Sequence, residues 1–396
     1  MNCRACGSKN LFTGIDLGSL PIVGELLNNK DLIAESFETK MMVCSECSLG
    51  QMSLDMPATR MFSNYNFRTS YSKTFLEHAK KFMHECFSKT NLKKEEWVLE
   101  LASNDGYLLK MFKENGIDVL GVDPATNISM YAICNDVPTI NQFFGSELAK
   151  EILRIKGYPK LIVAKNVLAH VPDIQDFMKG ISILCGENTI VSIENPSIMH
   201  ILNDDHFDNI YHEHYSYLSV NSVSRLAKKF GLNVFDVKHY PVHGGSNRYW
   251  ISRNRSQLPI VLKIIEEEIA DGLFNESKWE EFSKRINDKI YNFNNKIKKL
   301  NSEEKIVCGY AASGKASIII NFSKLNNNDI RCIADDSFEK QGKYVPGANI
   351  PIVNMEKMLE CNPTDIVIFS WNIYEDLKKK IIDAGYSDIN IWCWTD

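Results

Sequence analysis

The sequence predicts an α/β chain in three parts: a small zinc-binding N-terminal lobe, a Rossmann-like core and a second Rossmann-like domain at the C-terminal end. Three observations predict it. Two C-x-x-C units stand near the start, "CRAC" (Cys3, Cys6) and "CSEC" (Cys44, Cys47). A strand–helix–strand signal runs through "EEWVLELASNDGYLLKMFKENGIDVLGVDPA". A second strand–turn–helix signal opens at "KIVCGYAASGKASIIIN". At 396 residues the chain is too long for one ordinary core. The sequence divides at residues 1–70, 71–255 and 256–396.

Composition narrows the function classes. Hydrophobic residues make up 44% and charged residues 24%, as in globular proteins. A net charge of −5 argues against a general polyanion binder, so neither nucleic acid nor a membrane surface is an expected partner. "MNCRACGSKN" has no apolar signal core, and no run of about 18 apolar residues occurs. The expected compartment is therefore the cytoplasm. Thiols stay reduced there, so paired cysteines point to metal rather than to disulfides.

In the first part, Cys3, Cys6, Cys44 and Cys47 form two knuckles. Two residues between ligands let both thiolates of a knuckle reach one tetrahedral ion, and two knuckles complete a four-thiolate zinc site. A closed shell leaves no open coordination position, so this Zn2+ is expected to be structural. The other seven cysteines stand alone and read as small buried hydrophobes.

In the second part, an apolar strand from Trp97 to Leu101 turns through Ala102–Gly106 into an amphipathic helix from Tyr107. A second strand, Val119 to Val122, ends at Asp123, an acid placed where ribose hydroxyls are gripped. A dinucleotide loop needs G-x-G-x-x-G, so that a pyrophosphate can approach the backbone. Here "ELASNDGYL" offers only Gly106, with Glu100, Asn104 and Asp105. A glycine-poor acidic loop suits S-adenosylmethionine, which has no phosphate and carries a sulfonium and an amino acid. The cofactor candidates are Glu100, Ala102, Asn104, Gly106, Asp123, Pro124, Asn141, Phe143 and Asn166. A third strand ends at Lys165–Asn166, followed by His170, and "NTIVSIENPSIMHIL" gives a fourth. That strand feeds into "NDDHFDNIYHEHYSYLS", which is dense in proton-handling groups. "YPVHGGSNRYW" then places His243 and Arg248 beside Gly244–Gly245, as a ligand contact or an ordinary strand bulge.

From Ile260 to Lys305 charges of both signs alternate, as on surface helices joining two domains. In the third part, "GYAASGKA" misses a P-loop at its final position, where Ala316 stands in place of Ser or Thr, so an NTPase is not expected. A second strand ends at Asp335–Asp336, and "DIVIFSWN" gives another that ends at Ser370–Trp371–Asn372.

"ELASNDGYLL", "NVLAHVPD", "YHEHYSYLS" and "HGGSNR", in this order behind a double C-x-x-C, resemble the sugar C-methyltransferases over nearly the whole chain. The resemblance implies a class I methyltransferase core and C-methylation, at C3, of a nucleotide-linked 4-keto-deoxysugar in deoxysugar biosynthesis. It implies His214 as the base that removes the α-proton, with Tyr211, Glu213, His170 and Tyr71 around the sugar. It implies that the C-terminal domain closes over the nucleotide-sugar, with Ser313 and Lys315 at a helix N-terminus meeting the diphosphate. A monomer or small homo-oligomer is expected. Two alternatives stand beside this reading: an O- or N-methyltransferase, in which His214 deprotonates a hydroxyl or amine, and a non-catalytic zinc-bearing binding protein.

Overall fold

The computed structural model describes residues 1–65, 68–71, 73–386 and 388–396, with the side chains of all of these except 71, 73–75 and 243. Three sheets organise the described residues. The central one has seven strands, in the order Asn233–Tyr240, Ser246–Ser252, Ile190–Pro196, Leu161–Lys165, Trp97–Leu101, Asp118–Val122 and Thr139–Ile140. All pairings run parallel except those of Ser246–Ser252, which lies antiparallel to both neighbours. Counted along the chain, the strand order is 3-2-1-4-5-7-6 with the seventh reversed. The central strands are apolar runs because helices cover both faces; Trp97–Leu101 is buried at every residue. Their carboxyl ends open together on one edge, where an open α/β sheet holds its ligand.

The N-terminal sheet pairs Leu11–Pro21, Ser36–Cys44 and Gly50–Met52 with a short strand, Ser216–Tyr217, from far along the chain. Gly50 sits opposite Tyr217 and Gln51 opposite Ser216. The lobe that carries the cysteines therefore holds the segment that follows "YHEH" in register.

The C-terminal sheet is parallel and five-stranded, in the order Ile352–Val353, Ile333–Ala334, Val307–Tyr310, Asp365–Ile368 and Asn390–Cys393. The strand–turn–helix at "GYAASGKA" belongs to it, with Ser313 capping the helix Gly314–Phe322 through the Ala316 amide.

The charged stretch from Ile260 to Lys305 forms two helices, Pro259–Ala270 and Glu276–Ser302. The surface-connector reading holds for one face only. Trp279, Phe282, Ile286, Ile290, Phe293 and Ile297 recur every three or four residues along the longer helix and are buried. They pack with Ile15 and Leu17 of the N-terminal sheet and with Ile319 and Phe369 of the C-terminal domain in one core. Among the described residues no helix is long and apolar enough to cross a membrane.

Candidate active site

The cysteine knuckles come first in the chain. Each closes with an amide four residues past its first cysteine, Gly7 to the Cys3 carbonyl and Ser48 to that of Cys44, both at 2.9 Å. Gly7 and Ser48 have φ of 80° and 56°. The turns aim four sulfurs inward, all within 4.8 Å of one another, with Cys3–Cys47 at 3.4 Å and Cys6–Cys44 at 3.6 Å. A tetrahedral zinc with Zn–S of about 2.3 Å needs S···S separations of about 3.8 Å, which this cluster brackets. All ligand positions are filled by thiolates, so the centre is structural.

A cavity of about 530 Å³ opens at the carboxyl ends of the central strands. Glu100, Ala102, Asn104, Asp123, Pro124, Phe143 and Asn166 line it. Ala102 and Asn104 hold φ of 54° and 51°, a conformation that L-residues adopt at a cost of about 1–3 kcal/mol each. Asp123 sets the loop, accepting the Asn104 and Ala125 amides at 2.9 Å each. Glu100 is buried, its Oε2 has no hydrogen-bond partner among the described residues, and burial raises its pKa well above the carboxylate range. A buried carboxylate facing a cavity suits a cationic ligand group. Gly106 and Asn141 do not line the cavity. Gly106 has φ +76°, and a Cβ there would meet Val137 at 3.0 Å, so it shapes the turn. Asn141 props the Asp123 carbonyl at 3.0 Å.

The opposite wall carries His170, Tyr211 and His214. His214 Nδ1 lies 2.6 Å from the Asn209 carbonyl oxygen. A carbonyl only accepts, so a neutral His214 keeps its proton on Nδ1 and its lone pair on Nε2. His170 Nδ1 donates likewise to the Glu213 carbonyl at 2.8 Å, and burial lowers its pKa to about 4. The His214 ring lies 4.2 Å from that of Tyr211 and 4.8 Å from that of His170, centroid to centroid. Burial pushes the Glu213 carboxyl up to about 7, against a hydrogen bond from the Tyr65 phenol that lowers it. His212 points away: it is 1% exposed, with Nε2 3.2 Å from Thr39 Oγ1 and 3.2 Å from the Glu38 carbonyl. A turn over Tyr211–His214, closed by the His214 amide on the Tyr211 carbonyl at 2.9 Å, thus splits the H-E-H pattern between two directions. Among the described residues the four cysteines alone form a metal-ligand group.

Several candidates lie elsewhere. Arg248, taken as a ligand contact, is 1% exposed and lies beneath the cavity. It donates through Nε (2.8 Å) and Nη2 (2.5 Å) to Glu194 and through Nη1 to Glu85. The Gly244–Gly245 turn approaches the protein itself: Cβ atoms there would meet Trp371 at 2.5 Å and His200 at 2.4 Å. Ser313 caps its helix and accepts a hydrogen bond from Ser370, outside the cavity lining. Lys315 does line the cavity, reaching in from the C-terminal domain. The side chains of Tyr71 and His243 lie outside the described residues.

The sequence reading missed Tyr65, His78, Lys165 and Glu194, which all line the cavity. His78 Nε2 contacts Glu194 Oε1 at 2.8 Å. Burial alone would raise the Glu194 carboxyl, but the His78 hydrogen bond and the charges of Lys165 and Arg248 hold it near 2. Tyr65 stands six residues before Tyr71, in "SNYNFRTSY".

Family models match three successive parts of the chain: "Putative zinc binding domain" over residues 3–62, "Methyltransferase domain" over 72–237 and "C-methyltransferase C-terminal domain" over 241–386. The chain is an S-adenosylmethionine-dependent methyltransferase of the class I fold. More narrowly it is a C-methyltransferase with an N-terminal zinc-binding domain. It is 29% identical over 391 residues to the C-methyltransferase NovU of Streptomyces niveus, spanning 97% of this chain and 93% of that one. Among solved structures, magnesium protoporphyrin IX methyltransferase of Synechocystis PCC 6803 covers 50% of this chain and 89% of its own at 11% identity and TM-score 0.36. The PH0226 protein of Pyrococcus horikoshii OT3 covers 49% and 97% at 12% identity and TM-score 0.37. Likenesses this low carry no weight in the assignment, which rests on the family models and the relative.

Proposed function

We propose that this enzyme C-methylates a nucleotide-linked 4-keto-deoxysugar at C3, with His214 as the base. The observation that carries this reading is the Nδ1 bond of His214 to the Asn209 carbonyl, which leaves Nε2 basic in the same cavity as the cofactor loop. Bound S-adenosylmethionine supplies an electrophilic methyl group on a sulfonium. Carbon methylation then needs a carbon nucleophile. Nε2 of His214 takes the proton next to the ketone, and the C–H electron pair moves toward the carbonyl oxygen. Tyr211, whose phenol burial keeps protonated, donates to that oxygen. His170 presents an acceptor at Nε2, so it orients a hydroxyl rather than stabilising the oxyanion. Tyr65, hydrogen-bonded to Glu213 and lining the cavity, is a further contact for the sugar. The relative NovU carries the name of a C-methyltransferase, in keeping with this chemistry.

On this reading Glu100 holds the cofactor's ammonium end and Asp123 its ribose hydroxyls. Asp123→Ala is expected to weaken S-adenosylmethionine binding by about 1.5–3 kcal/mol, the usual cost of losing hydrogen bonds to a charged group. Calorimetry showing unchanged affinity would remove Asp123 from the cofactor site. The reaction class is read from the product. A new C–CH3 proton signal on a substituted ring carbon is expected; an O-CH3 or N-CH3 signal would overturn carbon methylation.

A further inference from the structure

The base belongs to the methyltransferase core, but the carbonyl that orients it is held from the C-terminal domain. Asn209 ends the short turn Phe207–Asn209. Its main-chain oxygen accepts the His214 Nδ1 hydrogen, and its side-chain oxygen accepts from Lys315 Nζ at 2.5 Å. Lys315 is the second residue of the helix Gly314–Phe322. The same turn is tied down at its centre. Asp208 is 0% exposed; its Oδ2 lies 3.6 Å from Lys315 Nζ and accepts the Trp371 indole N–H at 2.7 Å. Trp371 stacks on His206, at 4.0 Å between centroids, on the far side of the turn.

We propose that Lys315 is a positioning residue for His214, acting through Asn209, and that docking of the C-terminal domain thereby sets the tautomer of the base. Two features of Lys315 favour this over a diphosphate contact alone. Its ammonium is already committed to a buried carboxylate and an amide oxygen. It is also the described cation nearest Asp208, which without it becomes a buried uncompensated charge beside the base. The turn then relaxes, the Asn209 carbonyl swings, and the Nδ1–H bond that keeps Nε2 unprotonated is lost. The inference rests on the reading of His214 as the base, and the test separates the two.

The zinc-loaded full-length protein, labelled with 15N-histidine, is examined by long-range 1H–15N NMR, with His214 signals identified by their loss in His214→Asn. Wild type is expected to show a protonated Nδ1 and an unprotonated Nε2. Lys315→Met is expected to show mixed tautomers, and Lys315→Arg to restore the wild-type pattern. In parallel, exchange of the α-proton of thymidine-diphosphate-linked 4-keto-6-deoxyglucose is followed in D2O with S-adenosylhomocysteine bound. At saturating sugar, Lys315→Met is expected to slow exchange about 10- to 100-fold, the range for a misplaced catalytic group. Should Lys315→Met fail to fold, Asn209→Ala, which keeps the carbonyl and deletes the amide, carries both measurements. A variant with the wild-type tautomer whose sole defect is a raised KM would overturn the positioning role and make Lys315 a diphosphate ligand. If wild type exchanges no proton, the base reading fails, and the tautomer measurement alone still decides whether Lys315 orients His214.

Discussion

His214→Asn is expected to lower turnover by about 10²–10⁴-fold, the usual contribution of a general base, and to leave cofactor affinity nearly intact. The separation is physical. The cofactor wall of the cavity comes from the loop after Trp97–Leu101 and from Asp123, whereas His214 sits on the segment that runs from the Phe207–Asn209 turn to Ser216–Tyr217. Asparagine retains a donor for the Asn209 carbonyl but has no basic nitrogen. The deciding measurement isolates deprotonation from methyl transfer. With S-adenosylhomocysteine in the cofactor site, wild type is expected to exchange the α-proton of the 4-keto-sugar for deuterium in D2O, and His214→Asn is not. Equal exchange by the mutant would make another group the base, with Tyr65 and His170 the next to replace.

Loss of the zinc centre is expected to have an effect of similar size by a different route. Cys44→Ser removes one of four ligands, and the binding energy of a structural zinc is folding energy for its lobe. Considered as an independent domain, the lobe would unfold without consequence for the core. The structure makes it a support for the segment that carries His214. Met52 donates its amide to the Tyr215 carbonyl at 3.1 Å, and the Tyr215 phenol donates to the Met56 carbonyl at 2.6 Å. Ser219 Oγ donates to the Cys47 carbonyl at 3.2 Å. Cys44→Ser should therefore lose stoichiometric zinc by elemental analysis and raise hydrogen exchange in residues 11–52 and 211–219 together. Turnover should fall by about 10²-fold or more, as expected when a catalytic group loses its placement, while S-adenosylhomocysteine still binds. A zinc-free variant with wild-type turnover would show that the lobe does not support the site.

The core sheet was legible because buried parallel strands read as uninterrupted apolar runs, and "WVLEL", "LIVAK" and "IVSIE" are such runs. The long helix Glu276–Ser302 was legible as a helix but not as a core element. Its six-residue stripe stands out only once the two sheets it joins are known. Arg248 illustrates the opposite error. Its place beside Gly244–Gly245 suggested a ligand, while the acids that claim it, Glu85 and Glu194, lie 163 and 54 residues away along the chain. Tyr65 and His78 line the cavity because the segment before the first core strand folds back over it, and no local spacing records that return.

What the sequence by itself determined is chemistry set by local spacing. C-x-x-C places two thiolates on one knuckle whatever surrounds it, and a strand–turn–helix ending in an acid builds a ligand loop from about two dozen adjacent residues. What only the tertiary structure decided is direction. Strand alternation would put His212 and His214, two residues apart, on the same side; a turn over Tyr211–His214, closed by the His214 amide on the Tyr211 carbonyl at 2.9 Å, separates them instead. Ser216–Tyr217, which follows the turn, pairs with Gly50–Gln51 of the zinc lobe, and with the segment so anchored His212 meets Thr39 and His214 lines the cavity. The tautomer of His214 is likewise set by a carbonyl five residues earlier, in a turn that Lys315 holds from 106 residues further on.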